Sequence, residues 1–308
     1  MKSKGFSSRF CRKCLYSSLS VADMIRFVQM VNPRYDIYKQ SGYHEGQPIA
    51  NQDAANRIVT DLIRDGSYID FVERLIQINS KGYMGRRYDL RGLDDVIGDI
   101  TQAGYTFDKT TGQFFENQAE RISRNWGRLS EGDERQIVTL RLDIAGNSIL
   151  VKENPGELIN RAYGDLRTLV TRSVVSRLGR LWSWEGDGAL GAFMVGNAAR
   201  MAVFAGIEII NEIFLYNKIS NPLNSEIKLR LAAHSGPVQY SESEAECLKN
   251  ETVKKAIALE GKAAIPNSLV VSNTLAVNLD QGILNIFGKE QNSAAGKFRC
   301  YQVKQEKL

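Results

Sequence analysis

The sequence has few of the residues and segments by which several classes of protein are identified. It contains two histidines and four cysteines among 308 residues, which leaves little material for a metal centre built from imidazole or thiolate ligands. Its apolar runs fall well short of the roughly 20 residues that span a bilayer, and its basic amino terminus lacks the apolar segment of a secretory signal. We therefore predict a soluble cytoplasmic protein without a transmembrane helix or a membrane partner.

The cysteines are too few to indicate a zinc site, and the positive charge is too localised to indicate a nucleic-acid-binding surface. Cys11 and Cys14 have the spacing of half a zinc site, but Cys247 and Cys300 are far away in the sequence, so free thiols are favoured. The net charge is +5, and the excess is concentrated in a basic segment that we assign to a solvated arm over residues 1–19. No nucleic-acid partner is predicted.

What the sequence does contain is apolar material for a sizeable core, since 43% of residues are hydrophobic and 24% are charged. Residues 20–122 are predicted to be mainly helical, with Ser20 capping the first helix and Asp23 three residues later. A β-hairpin about Asp108 and Gly112 follows. Helices followed by a hairpin suggest a regulatory or docking domain, with a winged-helix-like unit as one form of it.

A polar, glycine-punctuated linker over residues 123–135 precedes a different pattern in residues 136–308. "QIVTLRLDI" alternates as a strand, and a helix is predicted to begin at "NPGE" with Asn154 as its cap. The hairpin "RLWSWE…ALGAFM", an apolar helix and the strand "IKLRLAAH" complete the order β-α-β-β-α-β. This order predicts an α+β, ferredoxin-like fold, in which helices cover one face of an antiparallel sheet.

Two aspartates occupy positions that this fold would bring together. Asp187 lies in the hairpin turn "EGDG", where it is either a plain turn residue or a metal ligand, and Asp143 ends the first strand. Two carboxylates at one end of a sheet, beside the backbone amides of residues 144–148, would suit a divalent cation that carries a polyphosphate. Glu185 either orients a ligand of that cation or is an exposed strand residue.

Four ordered blocks of the sequence resemble the class III nucleotidyl cyclases, the adenylate and guanylate cyclases. "LDIAGNS" is similar to the first metal motif of that family, and "WEGDGALGAF" is similar to its Gly-Asp hairpin. "LRLAAHSGPV" and "IALEGKAAIPNSLVVS" resemble two later blocks, in the same order and with matching spacing. The resemblance covers residues 136–303.

The resemblance implies a reaction and a set of site residues. Asp143 and Asp187 would bind two Mg²⁺ or Mn²⁺ ions with help from the Ile144 carbonyl, and the ions would bridge a nucleoside triphosphate during attack of the 3′-hydroxyl on the α-phosphorus. The products would be a cyclic nucleotide and pyrophosphate, used in intracellular signalling. The family also implies a site shared by two chains, hence a homodimer or pairing with another cyclase chain. The backbone that would contact the phosphates belongs to Ala145, Gly146, Asn147 and Ser148.

The chain departs from the family at the positions that bind the base and stabilise the transition state. Ser183 replaces the base-recognising lysine of adenylate cyclases, and Cys247 replaces the acid. Lys254 and Ala258 replace the transition-state asparagine and arginine, so Lys254 or its neighbour Lys255 becomes the candidate for that charge. The accepted base is left open, and adenine is not favoured.

Other residues have both a functional and a structural interpretation. Lys289 is the candidate for the family's phosphate-binding lysine, ahead of Lys297, and either is otherwise a solvated side chain. His234 is expected to be hydrogen-bonded locally. Trp182 and Trp184 are expected to share one strand face, where they pack in the core or in a dimer.

Two other functions remain open. The first is a degenerate cyclase-like domain that binds a nucleotide or dimerises as a regulatory module, although two retained aspartates would repel each other without a cation. The second is a relative of diguanylate cyclases or polymerase palms. The hairpin sequence Glu-Gly-Asp-Gly lacks the diguanylate cyclase signature.

Overall fold

A computed structural model of the protein describes residues 7–41, 44 and 47–303. These residues form two compact units. The first extends to Ile122 and includes Trp126–Arg128, and the second comprises Ser123–Asn125 and the residues from Leu129 onward. Within the described residues, no helix combines the length and the apolar character that crossing a membrane requires.

The first unit is mainly helical, as predicted, and ends in a hairpin. Ser20 caps its second helix by accepting a hydrogen bond from the Asp23 amide at 3.2 Å. The predicted hairpin is present as two antiparallel strands. The elements are α1 (Arg9–Ser18), α2 (Val21–Val28), α3 (Ile37–Ser41), α4 (Asn51–Arg64), α5 (Tyr68–Lys81), α6 (Leu93–Gln102), β1 (Tyr105–Asp108) and β2 (Gln113–Glu116).

The prediction of a solvated basic arm is wrong for the part of it that the structure describes. Residues 9–18 form helix α1, and Cys11, Cys14 and Leu15 are buried in the core of the first unit. These three residues recur at helical spacing, so they form an apolar stripe although the segment is basic. Burial raises the pKa of both thiols to about 12. Residues 1–6 of the predicted arm lie outside the described residues.

The second unit has the predicted order β-α-β-β-α-β, followed by further elements. A short helix, α7, precedes the first predicted helix. The elements are β3 (Glu134–Ile144), α7 (Asn147–Glu153), α8 (Gly156–Val175), β4 (Arg180–Glu185), β5 (Gly188–Phe193), α9 (Ala198–Ile219), β6 (Leu229–Gln239), α10 (Glu244–Lys249), α11 (Glu251–Ala263), β7 (Ser268–Ser272), α12 (Asn273–Ala276), α13 (Gln281–Leu284), β8 (Gln291–Ser293) and β9 (Gly296–Gln302).

The strands of this unit form one sheet in the order β4-β5-β3-β6-β7-β9-β8. Neighbouring strands are antiparallel except β6 and β7, which are parallel. Helices α8 and α9 cover one face, where Leu140 and Leu142 of β3 enter the main core. The two helices of the predicted β-α-β-β-α-β order therefore lie on one face, as predicted. Helix α11, which follows that order, covers the opposite face, where its Leu259 packs against Ala232 and Val270.

The start of α8 also differs from the prediction. Asn154 donates to the Leu150 carbonyl at 2.9 Å and accepts from the Asn224 amide at 2.9 Å, so its side chain does not cap α8. Pro155 precedes the first residue of the helix. The side chain of Asn154 therefore stabilises the end of α7, a helix that periodicity alone did not indicate.

Candidate active site

The candidate site lies on the face of the sheet opposite α8 and α9, where β3, β5 and β6 are neighbours. Asp143 of β3 pairs in register with Arg230 of β6, and its carboxylate accepts a hydrogen bond from the Arg230 guanidinium. The Nε atom of the same guanidinium lies 2.7 Å from a carboxylate oxygen of Glu260 on α11. Arg230 therefore bridges two carboxylates that come from different elements.

Asp187 lies in the two-residue loop that joins β4 to β5. Glu185 and Gly188 are the last pair of that hairpin, and Gly186 has a φ of +58°, which glycine adopts at no steric cost. Strand β5 adjoins β3, and the last residue pair of their ladder is Leu142 with Ala189. Asp143 is the next residue after Leu142, and Gly188, which follows Asp187, is the residue before Ala189. The two predicted aspartates thus extend from neighbouring strand ends.

The pKa shifts show that the charges of this region interact. Burial lowers the pKa of Arg230, but the hydrogen bond to Asp143 and nearby carboxylates, with Asp187 among them, raise it above its usual value. Burial raises the pKa of Glu260; Arg230 opposes that rise, and Asp187 adds to it. Both aspartates therefore act on the same two groups. A fifth charged residue, Arg141, lies beside them.

The donor set fits a hard divalent cation. It consists of carboxylates, and Mg²⁺ prefers a few carboxylates together with water and phosphate oxygens. Within the described residues, no cluster of three or more His, Cys, Asp or Glu side chains has the arrangement of a complete metal site. Asp143 and Asp187 would supply part of the coordination, in competition with the Arg230 guanidinium for Asp143.

The loop after β3 provides fewer phosphate donors than the sequence suggested. The Ala145 amide donates to the Lys228 carbonyl at 2.8 Å, so Ala145 is not a free donor in this structure. Asn147 accepts a hydrogen bond from the Tyr163 hydroxyl, which fixes its side chain against α8. Gly146 precedes α7 with a φ of +73°, and Ser148 lies in the first turn, where amides have no carbonyl four residues back within the helix.

Ile144 ends β3 and pairs in register with Leu229 of β6, so its backbone lies directly after Asp143. Ser183 of β4 pairs with Leu190 of β5, which in turn pairs with Arg141 of β3. Cross-strand partners share a face, so Ser183 lies on the same side of the sheet as Arg141. It is 5% exposed.

The other predicted site residues are not gathered around Asp143 and Asp187 in a single chain. Cys247 of α10 is buried, and its thiol donates to the Ser241 carbonyl at 3.1 Å. Burial raises the pKa of this thiol. Lys254 of α11 is exposed and pairs with Glu251 at 2.8 Å. Neither side chain contacts the aspartates among the contacts of the described residues.

The two lysine candidates near the carboxyl end differ in their surroundings. Lys289 is exposed and lies two residues before β8, the strand at the opposite edge of the sheet from β4. Lys297 forms an ion pair with Glu290 at 3.0 Å. A single chain therefore places both lysines far from the β4–β5 hairpin in strand order.

The two tryptophans of β4 do not share a face, contrary to the prediction. A register shift between Leu181 and Ser183 inserts a bulge at Trp182, and a bulge reverses the alternation of the residues that follow it. The Trp182 indole donates to the Arg124 carbonyl at 3.1 Å. Trp184 packs against the main core, with the Arg167 guanidinium 5.9 Å from its ring centre. Glu185, which ends the strand, is exposed.

His234 is held by local hydrogen bonds, as predicted. Its Nδ1 atom lies 2.8 Å from the Ser272 hydroxyl and 3.1 Å from the Thr274 hydroxyl. Burial, assisted by the charge of Lys255, lowers the pKa of His234 to about 4. The imidazole is therefore neutral in the folded protein at neutral pH.

This shift predicts a loss of stability at acid pH. The ordinary pKa of His234 is 6.5, so between that pH and about 4 the unfolded chain binds a proton that the folded chain does not. We expect this residue to lower the free energy of unfolding by about 2 kcal/mol between pH 7 and pH 5. Urea unfolding of wild type and His234→Gln should show a smaller loss in the variant. His44→Gln, at an exposed histidine, is the control and should behave like wild type. Equal losses in all three proteins would contradict the assignment.

Sequence reasoning missed four residues of this region: Arg141, Tyr163, Arg230 and Glu260. Arg230 and Glu260 lie inside two of the quoted sequence blocks. Alternation along β6 places Arg230 on the face opposite the buried Leu229 and Leu231. A charged residue between two apolar residues of a strand was the sequence pattern that could have indicated Arg230. Only the strand register shows which carboxylate Arg230 contacts.

Comparisons with known proteins give matches among solved structures. No protein-family model matches the chain, and no curated protein matches it. The guanylate cyclase domain from Catenaria anguillulae, solved in complex with GTP, is 18% identical to this chain, with a TM-score of 0.47. That match covers 57% of this chain and 100% of the other.

Two further solved structures give similar values. An adenylate/guanylate cyclase/hydrolase from Silicibacter pomeroyi is 20% identical, with a TM-score of 0.46, and the match covers 56% of this chain and 99% of the other. A non-canonical dimeric guanylyl cyclase domain from the fungus Blastocladiella emersonii is 17% identical, with a TM-score of 0.48 and coverage of 56% and 97%. These solved structures are cyclase proteins, the family that the four sequence blocks resemble.

Proposed function

We propose that this chain is a cytoplasmic nucleotidyl cyclase, which converts a nucleoside triphosphate into a 3′,5′-cyclic nucleotide and pyrophosphate for intracellular signalling. The observation that carries the proposal is the charge cluster in which Asp143, Asp187 and Arg230, at the ends of neighbouring strands, meet Glu260 of α11. The four cyclase-like sequence blocks, in order and at matching spacing, support the same function.

The residues of the cluster have separate tasks in this proposal. Asp143 and Asp187, with the Ile144 carbonyl, would hold Mg²⁺ or Mn²⁺. Two such ions, when bound, lower the pKa of the 3′-hydroxyl and stabilise the charge of the departing pyrophosphate. A cation held by Asp143 would displace Arg230 from it, and the Arg230 guanidinium would then neutralise phosphate oxygens. Glu260 keeps Arg230 close during that exchange.

A second chain completes the site. Cys247, Lys254 and Lys289 lie away from the two aspartates in one chain, so a homodimer or a pair with another cyclase chain is needed to bring such residues to the nucleotide. Lys254 is the candidate for the positive charge at the transition state. We expect a broad or non-adenine base preference, because a serine hydroxyl and a buried thiol offer fewer directed hydrogen bonds than a lysine and an acid.

Product analysis tests the proposal directly. The purified chain is incubated with ATP, GTP, CTP or UTP and with Mg²⁺ or Mn²⁺, and the products are identified by mass. We expect at least one cyclic nucleotide with an equal amount of pyrophosphate, and no product from the Asp143→Asn and Asp187→Asn double variant. Turnover per chain should rise with protein concentration, because a shared site requires two chains.

The alternative is a degenerate cyclase-like module that binds a nucleotide or dimerises without turnover. Ala258 at the position of the transition-state arginine favours this alternative, since loss of one preorganised donor typically lowers the rate about 10²–10³-fold. Nucleotide binding without any cyclic product, at every base and metal, would support the module and overturn the enzyme. A strong preference for ATP alone would contradict the expected base preference.

A further inference from the structure

Arg141 is a charged residue placed by β3 beside the two candidate metal ligands. Its neighbours Leu140 and Leu142 are buried in the main core. Because successive side chains of a strand point to opposite faces, Arg141 and Asp143 share the other face. The Arg141 guanidinium therefore lies outside the main core. The residues around it on the other face indicate its function.

The guanidinium lies against the loop that carries Asp187. A Cβ atom added at Gly188 would come within 2.8 Å of Arg141 Cζ and 2.9 Å of its Nη1 atom. Glycine at this position therefore leaves the space that the guanidinium occupies. The charge of Arg141 also lowers the pKa of Glu260, which places it in the same charge cluster.

The Arg141 side chain takes part in no hydrogen bond or ion pair of the described residues, although its charge acts on Glu260. Its Nε atom is buried without a hydrogen bond. Arg230, in contrast, contacts both Asp143 and Glu260. A guanidinium carries five N–H donors, and buried donors without acceptors are unfavourable. The buried Nε of Arg141 is one such donor, and the guanidinium is thus available to an anion that is not part of the chain.

We propose that Arg141 binds the polyphosphate of the nucleoside triphosphate and supplies, from the same chain as the metal ligands, the positive charge that Ala258 does not provide. The inference rests on the proposed function. It adds to that function a substrate-binding residue that is two positions before Asp143. The guanidinium fits an oxygen-rich anion because its planar fork donates two parallel hydrogen bonds to phosphate.

The test is the affinity of the full chain for two probes, inorganic tripolyphosphate and GTP, each with Mn²⁺ and measured by calorimetry. We expect Arg141→Gln to weaken the binding of both probes by about tenfold or more, as loss of a charge-assisted hydrogen bond predicts. Arg141→Lys should restore part of the affinity. Arg135→Gln, on the same strand, is the matched control and should bind like wild type.

A melting temperature separates this role from a structural one. The guanidinium forms no hydrogen bond or ion pair among the described residues, so Arg141→Gln should melt within a few degrees of wild type. Unchanged affinity of Arg141→Gln for both probes would overturn the inference. A melting temperature of Arg141→Lys below that of wild type, with unchanged affinity for both probes, would indicate a structural role and would also overturn it. If the wild-type chain itself bound neither probe, the proposed function would fail first, and the two failures are distinguishable.

Discussion

Asp187→Asn is expected to lower turnover by ~10²-fold or more while the fold remains intact. Asparagine keeps the size and the turn propensity of aspartate, so the two-residue loop should persist, but the charge that would hold a cation is removed. Turnover, cation binding and the melting temperature are measured together on wild type and variant. We expect the first two to fall together and the third to stay within a few degrees.

Asp108→Asn is the matched control, since Asp108 also lies at a hairpin, where it binds Thr111. That variant should leave turnover unchanged. If Asp187 were only a turn residue, its substitution would shift the free energy of unfolding by less than about 1 kcal/mol and leave cation binding untouched. This result would remove the metal assignment of Asp187.

Arg230→Gln is expected to affect turnover and cation affinity in opposite directions. Arg230 competes with a cation for Asp143, so Mn²⁺ should bind the variant more tightly in the absence of nucleotide. Turnover should nevertheless fall by ~10²-fold or more, because the guanidinium that neutralises phosphate oxygens is gone. Mn²⁺ titration without nucleotide and product formation with saturating nucleotide measure the two effects separately.

The same variant should also be less stable. Removing Arg230 leaves Glu260, which is 5% exposed, without its guanidinium partner. Loss of one partner of a buried pair destabilises by about 3–5 kcal/mol, and the partial exposure of Arg230 reduces our expectation to about 1–3 kcal/mol. Arg172→Gln, which breaks the exposed pair with Glu212, should change stability by less than about 1 kcal/mol. Weaker Mn²⁺ binding in Arg230→Gln would contradict the proposed competition.

Much of the second unit was predictable because its sequence pattern and its tertiary structure agree. Strand β3 alternates as expected, and its apolar residues lie on the face that α8 and α9 cover. The Gly-Asp-Gly turn placed the β4–β5 hairpin correctly. Such local signals are reliable where the hydrophobic period and the turn residues indicate the same element.

The parts that were mispredicted depend on information that is not local. The bulge at Trp182 separates the two tryptophans, and a bulge depends on the pairing of two strands. Asn154 has the sequence position of a helix cap, but its side chain bonds to Leu150 and to the distant Asn224. Cys11 and Cys14 are an exception, because their helical spacing with Leu15 is a local pattern that already indicates a core stripe.

The site was predictable as a pair of aspartates but not as a set of charges. The location of Asp143 at the end of a strand and of Asp187 in a Gly-Asp-Gly turn could be predicted from the sequence. The partners of Asp143 follow only from the register of β3 against β6, which brings Arg230 opposite it, and from the packing of α11, which brings Glu260. The position of Arg141 against Gly188 depends on the same register.

The central claim is that Asp143 and Asp187 bind the same divalent cations, and a double-mutant cycle of Mn²⁺ affinity in the presence of a nucleoside triphosphate tests it most directly. The measured proteins are wild type, Asp143→Asn, Asp187→Asn and the double variant. Two residues that act on one site are not additive, so the double variant should lose little more Mn²⁺ affinity than either single variant. Additive small losses, or wild-type Mn²⁺ affinity in all three variants, would contradict the claim.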